Sequence, residues 1–257
     1  MVITNIRNLY KILSESRTAA ERRATLAVLG DSPAADEIAA VLGAQRSVRG
    51  AEVVICVLGP GESTPSGVEP VLTVSIGSGP GDVVLAGTTE QDIREDLIPR
   101  LLDEVDEDYL LPLGRAYESL RRPVCEKIVR NNARQNAVIG ALPIPGADMP
   151  VMTANQARMV LSIAAVYGEE LSLERARELV GVVAAGFGLR ALSRQLVKFI
   201  PFGGWAAAAA IAYSGTLAMG RASILYFERG KEMPGEEEME RIRAQAEEEA
   251  RRYGGGR

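Results

Sequence analysis

Histidine is absent from this chain, cysteine occurs only twice, and aromatic residues make up 5% of the sequence. The lack of histidine excludes Ser-His and Cys-His nucleophilic catalysis, histidine-bound metals and the usual general base near neutral pH. Cys56 and Cys125 stand far apart, so the sequence offers neither a metal-ligand spacing nor a disulfide framework. We therefore expect no enzymatic activity, no cofactor and no metal, in a reducing, cytoplasmic setting.

The chain also lacks an excess of positive charge, since its 29 lysines and arginines are outnumbered by 34 aspartates and glutamates and the net charge is −5. Nucleic-acid binders usually carry a strongly basic domain or stripe, so no nucleic-acid partner is expected. Residues 1–17 carry charges and no apolar core of signal-peptide length, which argues against secretion. Apolar residues at helical spacing in this segment favour a helix packed on its own domain, with a helix at a membrane surface as the alternative.

Four short apolar runs in the first third of the chain predict β-strands. They cover residues 25–29, 52–58, 71–76 and 83–86. A short helix is predicted over residues 36–42, ended by Gly43. The connections that follow the second and third strands are rich in glycine and proline and are predicted to be loops.

The turn after the first strand lies where a phosphate-binding loop would lie, but it lacks the residues that such a loop needs. A working loop ends in Gly-Lys-Ser/Thr, whose lysine neutralises the phosphates and whose hydroxyl holds magnesium. This chain has Ala35, Asp36 and Glu37 there, and two carboxylates would repel a triphosphate. The sequence therefore predicts neither tight binding nor hydrolysis of GTP or ATP.

The strand order nevertheless resembles a small GTPase domain whose switch segments have been trimmed. In that family Asp-x-x-Gly follows the second run, where this chain has Val57-Leu58-Gly59-Pro60. Asn-Lys-x-Asp follows the third, where this chain has Ser75-Ile76-Gly77-Ser78. The resemblance thus implies a degenerate GTPase-like domain.

Residues 91–140 are dominated by helix formers, with interruptions predicted near Pro112 and Pro123. Lys127, Arg130 and Arg134 line one side of the later helix. We interpret this side as a salt-bridged face or an interdomain seam, and the alternative is a basic edge that binds a partner.

An ordered series of short motifs runs through the second half of the chain. The motifs are Arg122-Pro123-Val124-Cys125-Glu126, Ala133-Arg134-Gln135-Asn136-Ala137, Pro145-Gly146-Ala147-Asp148, Asn155-Gln156-x-Arg158-Met159-Val160, Ala165-Val166-Tyr167-Gly168 and Lys198-Phe199-Ile200-Pro201. Over about residues 120–230 they resemble the helical domain of unknown function of YcjF-like membrane proteins and Era-like GTPase-associated proteins. The resemblance implies an all-α domain linked to GTPases and membranes, without an established catalytic residue.

No charged residue occurs between Lys198 and Arg221, a span long enough to cross a bilayer. Alanine, glycine and small polar residues dilute its hydrophobicity, so a buried helical hairpin is favoured over insertion. Small residues recur at every fourth position and predict close helix packing. They are Gly204, Ala208, Ala212, Thr216 and Gly220, with a matching face at Gly181, Ala185 and Gly188.

A second basic stripe, formed by Arg190, Arg194 and Lys198, precedes this span at four-residue spacing. It is interpreted as a solvated face, or alternatively as a surface for lipid phosphates or acidic partners. Residues 231–257 form a charged tail, predicted to be a single solvated helix because its apolar seam is thin.

The predicted fold class is α/β plus all-α, a small GTPase-like sheet followed by a helical domain. The predicted domains are residues 1–110, with an N-terminal helix, residues 111–230, and the tail 231–257. We expect a non-catalytic adaptor or regulatory module with a protein partner. A membrane-associated helical protein with peripheral membrane contact and a divergent nucleotide-binding hydrolase are the alternatives.

Overall fold

The computed structural model describes residues 14, 18, 21–141, 148–170 and 204–255. The chain divides into two compact units, one of which runs from Ala19 to Val124. We call the part from Ala19 to Val124 the sheet unit and the described part after Val124 the helical unit. The α/β plus all-α fold class is confirmed.

The sheet unit contains four parallel strands that neighbour each other in chain order. They are β1 (Leu26–Leu29), β2 (Val53–Val57), β3 (Leu72–Ile76) and β4 (Val83–Leu85). Leu26 lies opposite Val53 in the first pair, and Val74 lies opposite Val83 in the last. All four predicted strands are confirmed. β2 is buried along its whole length, as expected for a strand in the middle of a parallel sheet.

The other edge of β1 carries a remnant of a further strand. Ala27 forms an isolated parallel bridge with Gln45, and the Gln45 amide donates to the Leu26 carbonyl oxygen at 3.0 Å. Gln45 follows β1 along the chain but lies on the side of β1 away from β2. This arrangement is the order 2-1-3-4-5 of doubly wound sheets, with the second strand reduced to one residue pair. The direction of winding therefore reverses between β1 and β2.

Helices complete the sheet unit. They are α1 (Pro33–Leu42), α2 (Glu90–Asp92), a π-helical turn (Ile93–Leu97), α3 (Ile98–Glu104) and α4 (Glu107–Ala116). The predicted first helix is confirmed, and Gly43 ends it with a left-handed φ of 71° that an L side chain rarely adopts.

The interruptions predicted at the two prolines are wrong. Pro112 lies inside α4, and Pro123 lies inside the next helix, α5 (Glu118–Gly140). Each proline lies in the second turn of its helix, where it removes one hydrogen bond to the carbonyl four residues earlier. The helices end instead where the backbone becomes extended, at Val105 and Tyr117.

The helical unit is built from the part of α5 after Val124 and three further helices. They are α6 (Asp148–Val166), α7 (Gly204–Glu228) and α8 (Glu236–Gly255). The small-residue face predicted on α7 packs against α5: a Cβ on Gly220 would lie 2.4 Å from Val129 Cγ2, and one on Gly140 would lie 2.9 Å from Ala212 Cβ. The predicted matching face at Gly181, Ala185 and Gly188 lies outside the described residues.

The C-terminal helix α8 is packed, not solvated as its sequence suggests. Its apolar stripe, Met239, Ile242, Ala246 and Ala250, is buried. Arg229 holds Glu238 through two hydrogen bonds of 2.6 Å, and the rings of Tyr213 and Tyr253 stack with centroids 4.7 Å apart. Alanines suffice for this seam because they let the two helix backbones approach closely. None of the helices in the described parts of the chain is long and apolar enough to span a membrane.

Candidate functional site

A crevice of about 550 Å³ opens at the carboxyl ends of β1 and β2. Gly30 and Asp31 line it after β1, and Gly61 and Glu62 line it after β2. Arg46 reaches it from the segment beside the Gln45 bridge. Open parallel sheets bind their ligands at the point where the winding direction reverses, and this crevice lies at that point. It is therefore the first candidate for a ligand site in the sheet unit.

The loop after β1 is too short to surround phosphates. Only Gly30, Asp31 and Ser32 separate β1 from α1, whereas about six residues of the eight-residue phosphate-binding motif form the loop before its helix. Ala35 is buried within α1, and Asp36 and Glu37 follow it in the helix. A Cβ on Gly30 would lie 2.5 Å from the Val57 carbonyl oxygen, so the loop runs directly against the end of β2.

The one arginine lining this crevice is committed to the protein itself. The Arg46 guanidinium donates to the carbonyl oxygens of Val28 and Gly30, and its Nε donates to Asp36 Oδ1 at 2.9 Å. Glu37 accepts a hydrogen bond from the Thr88 hydroxyl. The carboxylates that the sequence places in the phosphate-loop position are therefore both bound within the sheet unit.

A second internal contact occupies the loop after β2. The Gly59 amide donates to Glu62 Oε2 at 2.7 Å, so the Glu62 carboxylate lies on a backbone donor that an external anion would need. Arg46 and Glu62, two of the charged side chains that line the crevice, are therefore both bound to groups of the protein itself. These hydrogen bonds can stabilise the ends of β1 and β2, and they leave few donor groups that a phosphate could bind.

The predicted basic side of α5 is partly placed by the structure. Arg130 Nε lies 3.5 Å from Glu249 Oε1, and Arg134 is exposed. Lys127 also has an interaction within the described chain. The second predicted stripe, Arg190, Arg194 and Lys198, lies outside the described residues. Both basic surfaces stay predictions.

A charge cluster that the sequence did not predict joins α5, α7 and α8. Arg221, whose side chain is 16% exposed, lies 2.7 Å from Glu249 Oε2 and 3.4 Å from Glu126 Oε2. Burial alone would raise the pKa of the Glu249 carboxyl, but the hydrogen bond and charge of Arg221 outweigh it and lower that pKa. Tyr213 also donates to Glu249, at 3.3 Å. From the sequence, Arg221 was identified only as the end of the uncharged span that follows Lys198.

A buried polar seam crosses α5, α6 and α7. Asn136 and Thr216 are fully buried, and Asn136 Nδ2 donates to Thr216 Oγ1 at 2.9 Å. Asn155 Nδ2 donates to Asn136 Oδ1 at 3.2 Å, and Gln156 Nε2 donates to Thr216 Oγ1 at 3.3 Å. Buried amides need such partners, so the seam fixes how the three helices align. Among the described residues no cluster of three or more side chains could hold a metal ion.

Comparison with known proteins supports the predicted helical domain. Residues 113–251 match a family described as a domain of unknown function (DUF697). Over 116 residues the chain is 28% identical to magnetosome membrane protein 22 of Magnetospirillum gryphiswaldense, covering 42% of this chain and 59% of that protein. No solved structure matches the chain. Because the family match covers more than half of the sequence, the chain belongs to the DUF697 family.

Proposed function

We propose that this protein is a non-catalytic adaptor or regulatory module in which a degenerate GTPase-like domain is fused to a DUF697 helical domain. One observation carries the proposal: Arg46 and Glu62, which line the crevice at the carboxyl ends of β1 and β2, are bound to backbone groups of the chain itself. A nucleotide would have to displace Glu62 from the Gly59 amide. It would gain no free cation from Arg46, which Asp36 already neutralises.

The sequence also provides no magnesium ligands for catalysis at this crevice. Phosphoryl transfer depends on positioned magnesium and on cations that stabilise the transferring group. The segments after β2 and β3 hold glycine and proline where a GTPase holds its magnesium and guanine ligands. The proposed role is therefore the binding of a protein partner, without nucleotide turnover.

The nucleotide prediction is tested by calorimetry with GTP and ATP in the presence of magnesium. We expect no binding at micromolar nucleotide, because the short loop and the bound Arg46 provide no phosphate site. Micromolar affinity that requires magnesium would overturn the proposal.

The double variant Asp36→Lys with Glu37→Ser restores the residue types of a phosphate loop and is expected to remain inactive. The magnesium and guanine motifs are also missing from the chain, so restoring a lysine and a hydroxyl does not complete the site. Phosphate release assays would check this, with thermal unfolding as the control for folding. Robust turnover would show that the remaining site is more complete than proposed.

A peripheral membrane module is the second candidate, favoured by the relative that is named a magnetosome membrane protein. In this role the protein would contact the membrane surface without crossing the bilayer. Cell fractionation of the tag-free protein should then place it in the cytoplasm or on membranes from which high salt releases it, because salt screens charge-mediated lipid contacts. Recovery only with detergent, after salt and carbonate washes fail, would contradict peripheral association.

A further inference from the structure

The crevice at the carboxyl ends of β1 and β2 contains two carboxylates that have no cationic partner. Asp31, which follows β1, forms no hydrogen bond or ion pair within the part of the chain that the structure describes. Glu62, in the loop after β2, accepts a hydrogen bond from the Gly59 amide, but that donor is neutral and leaves the negative charge in place. Asp31 and Glu62 are both exposed, so their charges are accessible from solvent.

The charges at this end of the sheet have a negative sum. Arg46 lines the crevice, but its Nε lies 2.9 Å from Asp36 Oδ1, and this carboxylate offsets its charge. The amino-terminal end of α1 adds roughly half a positive charge from the helix dipole. Asp31 and Glu62 contribute one negative charge each. The crevice therefore favours a cation over a phosphate.

The rest of the lining favours an organic cation over a metal ion. The described residues offer no group of three or more side chains that could hold a metal, and calcium or magnesium needs about six oxygen ligands. Apolar groups of Leu29, Leu58 and Pro65 also line the crevice. A lysine or arginine side chain fits both features, because its aliphatic stem packs on apolar groups while its charged end meets carboxylates.

We propose that this crevice binds a lysine or arginine side chain of a protein partner. Such a contact rests on the proposed adaptor role, and it specifies the chemistry of the partner's contacting residue. Open parallel sheets bind their ligands where the winding direction reverses, and at that point this chain presents carboxylates instead of phosphate-binding groups. Because Asp31 and Glu62 are exposed, the contact contributes modest affinity and mainly orients the partner.

The test is a titration of a fluorescent tetralysine peptide with the full chain at low ionic strength, because salt screens exposed charges. The chain should bind tetralysine and not tetraglutamate. The crevice variant, Asp31→Asn with Glu62→Gln, removes both charges and keeps an acceptor for the Gly59 amide. It should bind tetralysine up to about 25-fold more weakly, since each exposed ion pair contributes up to about fivefold.

The matched control is Glu69→Gln with Glu247→Gln, which makes the same change of net charge at exposed residues outside the lining of the crevice. It should weaken binding less than the crevice variant does, while thermal unfolding of both variants is unchanged. The inference is overturned if tetralysine does not bind, or if the two variants weaken binding equally. Either result leaves the adaptor role intact, whereas magnesium-dependent nucleotide binding would contradict that role itself.

Discussion

Replacing Gly220 by alanine should lower the free energy of unfolding of the helical unit by about 1–3 kcal/mol, the usual cost of overpacking a tight core. The new Cβ would lie 2.4 Å from Val129 Cγ2 and 2.5 Å from Cγ1. Real Cβ atoms do not approach so closely, so α5 and α7 would have to move apart. Urea unfolding followed by circular dichroism measures the change.

Gly215, in the same helix, is the matched control. A Cβ there meets nothing within 4 Å, so Gly215→Ala should stabilise the protein by about 0.5–1 kcal/mol through helix propensity alone. Combining Gly220→Ala with Val129→Ala should cost less than the sum of the two single changes, because the second substitution removes the clashing methyls. Equal effects at Gly220 and Gly215 would contradict the close packing of α5 on α7.

Replacing Asn136 by alanine should cost about 2–3 kcal/mol, because it removes the acceptor of the Asn155 amide and one of the donors to the buried Thr216 hydroxyl. Asn136 is fully buried and holds Thr216 on α7 and Asn155 on α6 at once. The same urea titration measures the loss.

Asn132 provides the comparison for this substitution. Its Nδ2 donates to the Ile128 carbonyl oxygen four residues earlier in α5, at 2.8 Å. That bond is local, so Asn132→Ala should cost less than about 1 kcal/mol. Asn136→Ala and Thr216→Val should also be strongly non-additive, since both act on one hydrogen bond. Additive losses would show that the two side chains are not coupled.

Local sequence signals predicted the strands and the first helix well. The four apolar runs are bounded by glycine and proline, and each observed strand lies within its predicted range. Gly43 ends α1 as predicted, since the left-handed geometry is set by that residue alone. These features depend on neighbouring residues, which a sequence displays directly.

Features set by tertiary contacts were not predictable in this way. Pro112 and Pro123 carry a local signal that breaks helices, yet packing keeps both helices continuous. Arg46 has no distinguishing context in the sequence, although the fold brings it to the carbonyls of Val28 and Gly30. The single-residue bridge at Gln45 is too short to leave a strand pattern.

The candidate sites were likewise predictable only where the signal is local in the sequence. The helical family could be identified from the order of its motifs, and two of those motifs contain Asn136 and Gln156, but their mutual contact with Thr216 required the structure. The sequence shows directly that the phosphate-loop position lacks lysine. The shortness of the loop between β1 and α1 was not predictable, because it depends on where α1 begins. The GTPase-like origin of the sheet stays a prediction.

The packing of α8 on α7 has a consequence for protein synthesis and turnover. Until α8 has been synthesised, the side of α7 that carries Tyr213 lacks the cover that α8 gives it, and Arg221 lacks Glu249. A nascent chain or a fragment cut in the turn after Gly230 therefore presents an alanine-rich apolar surface with an incompletely neutralised guanidinium. Chaperones and proteases recognise such surfaces, so we expect a fragment without α8 to be degraded faster than a chain in which α8 is packed on α7.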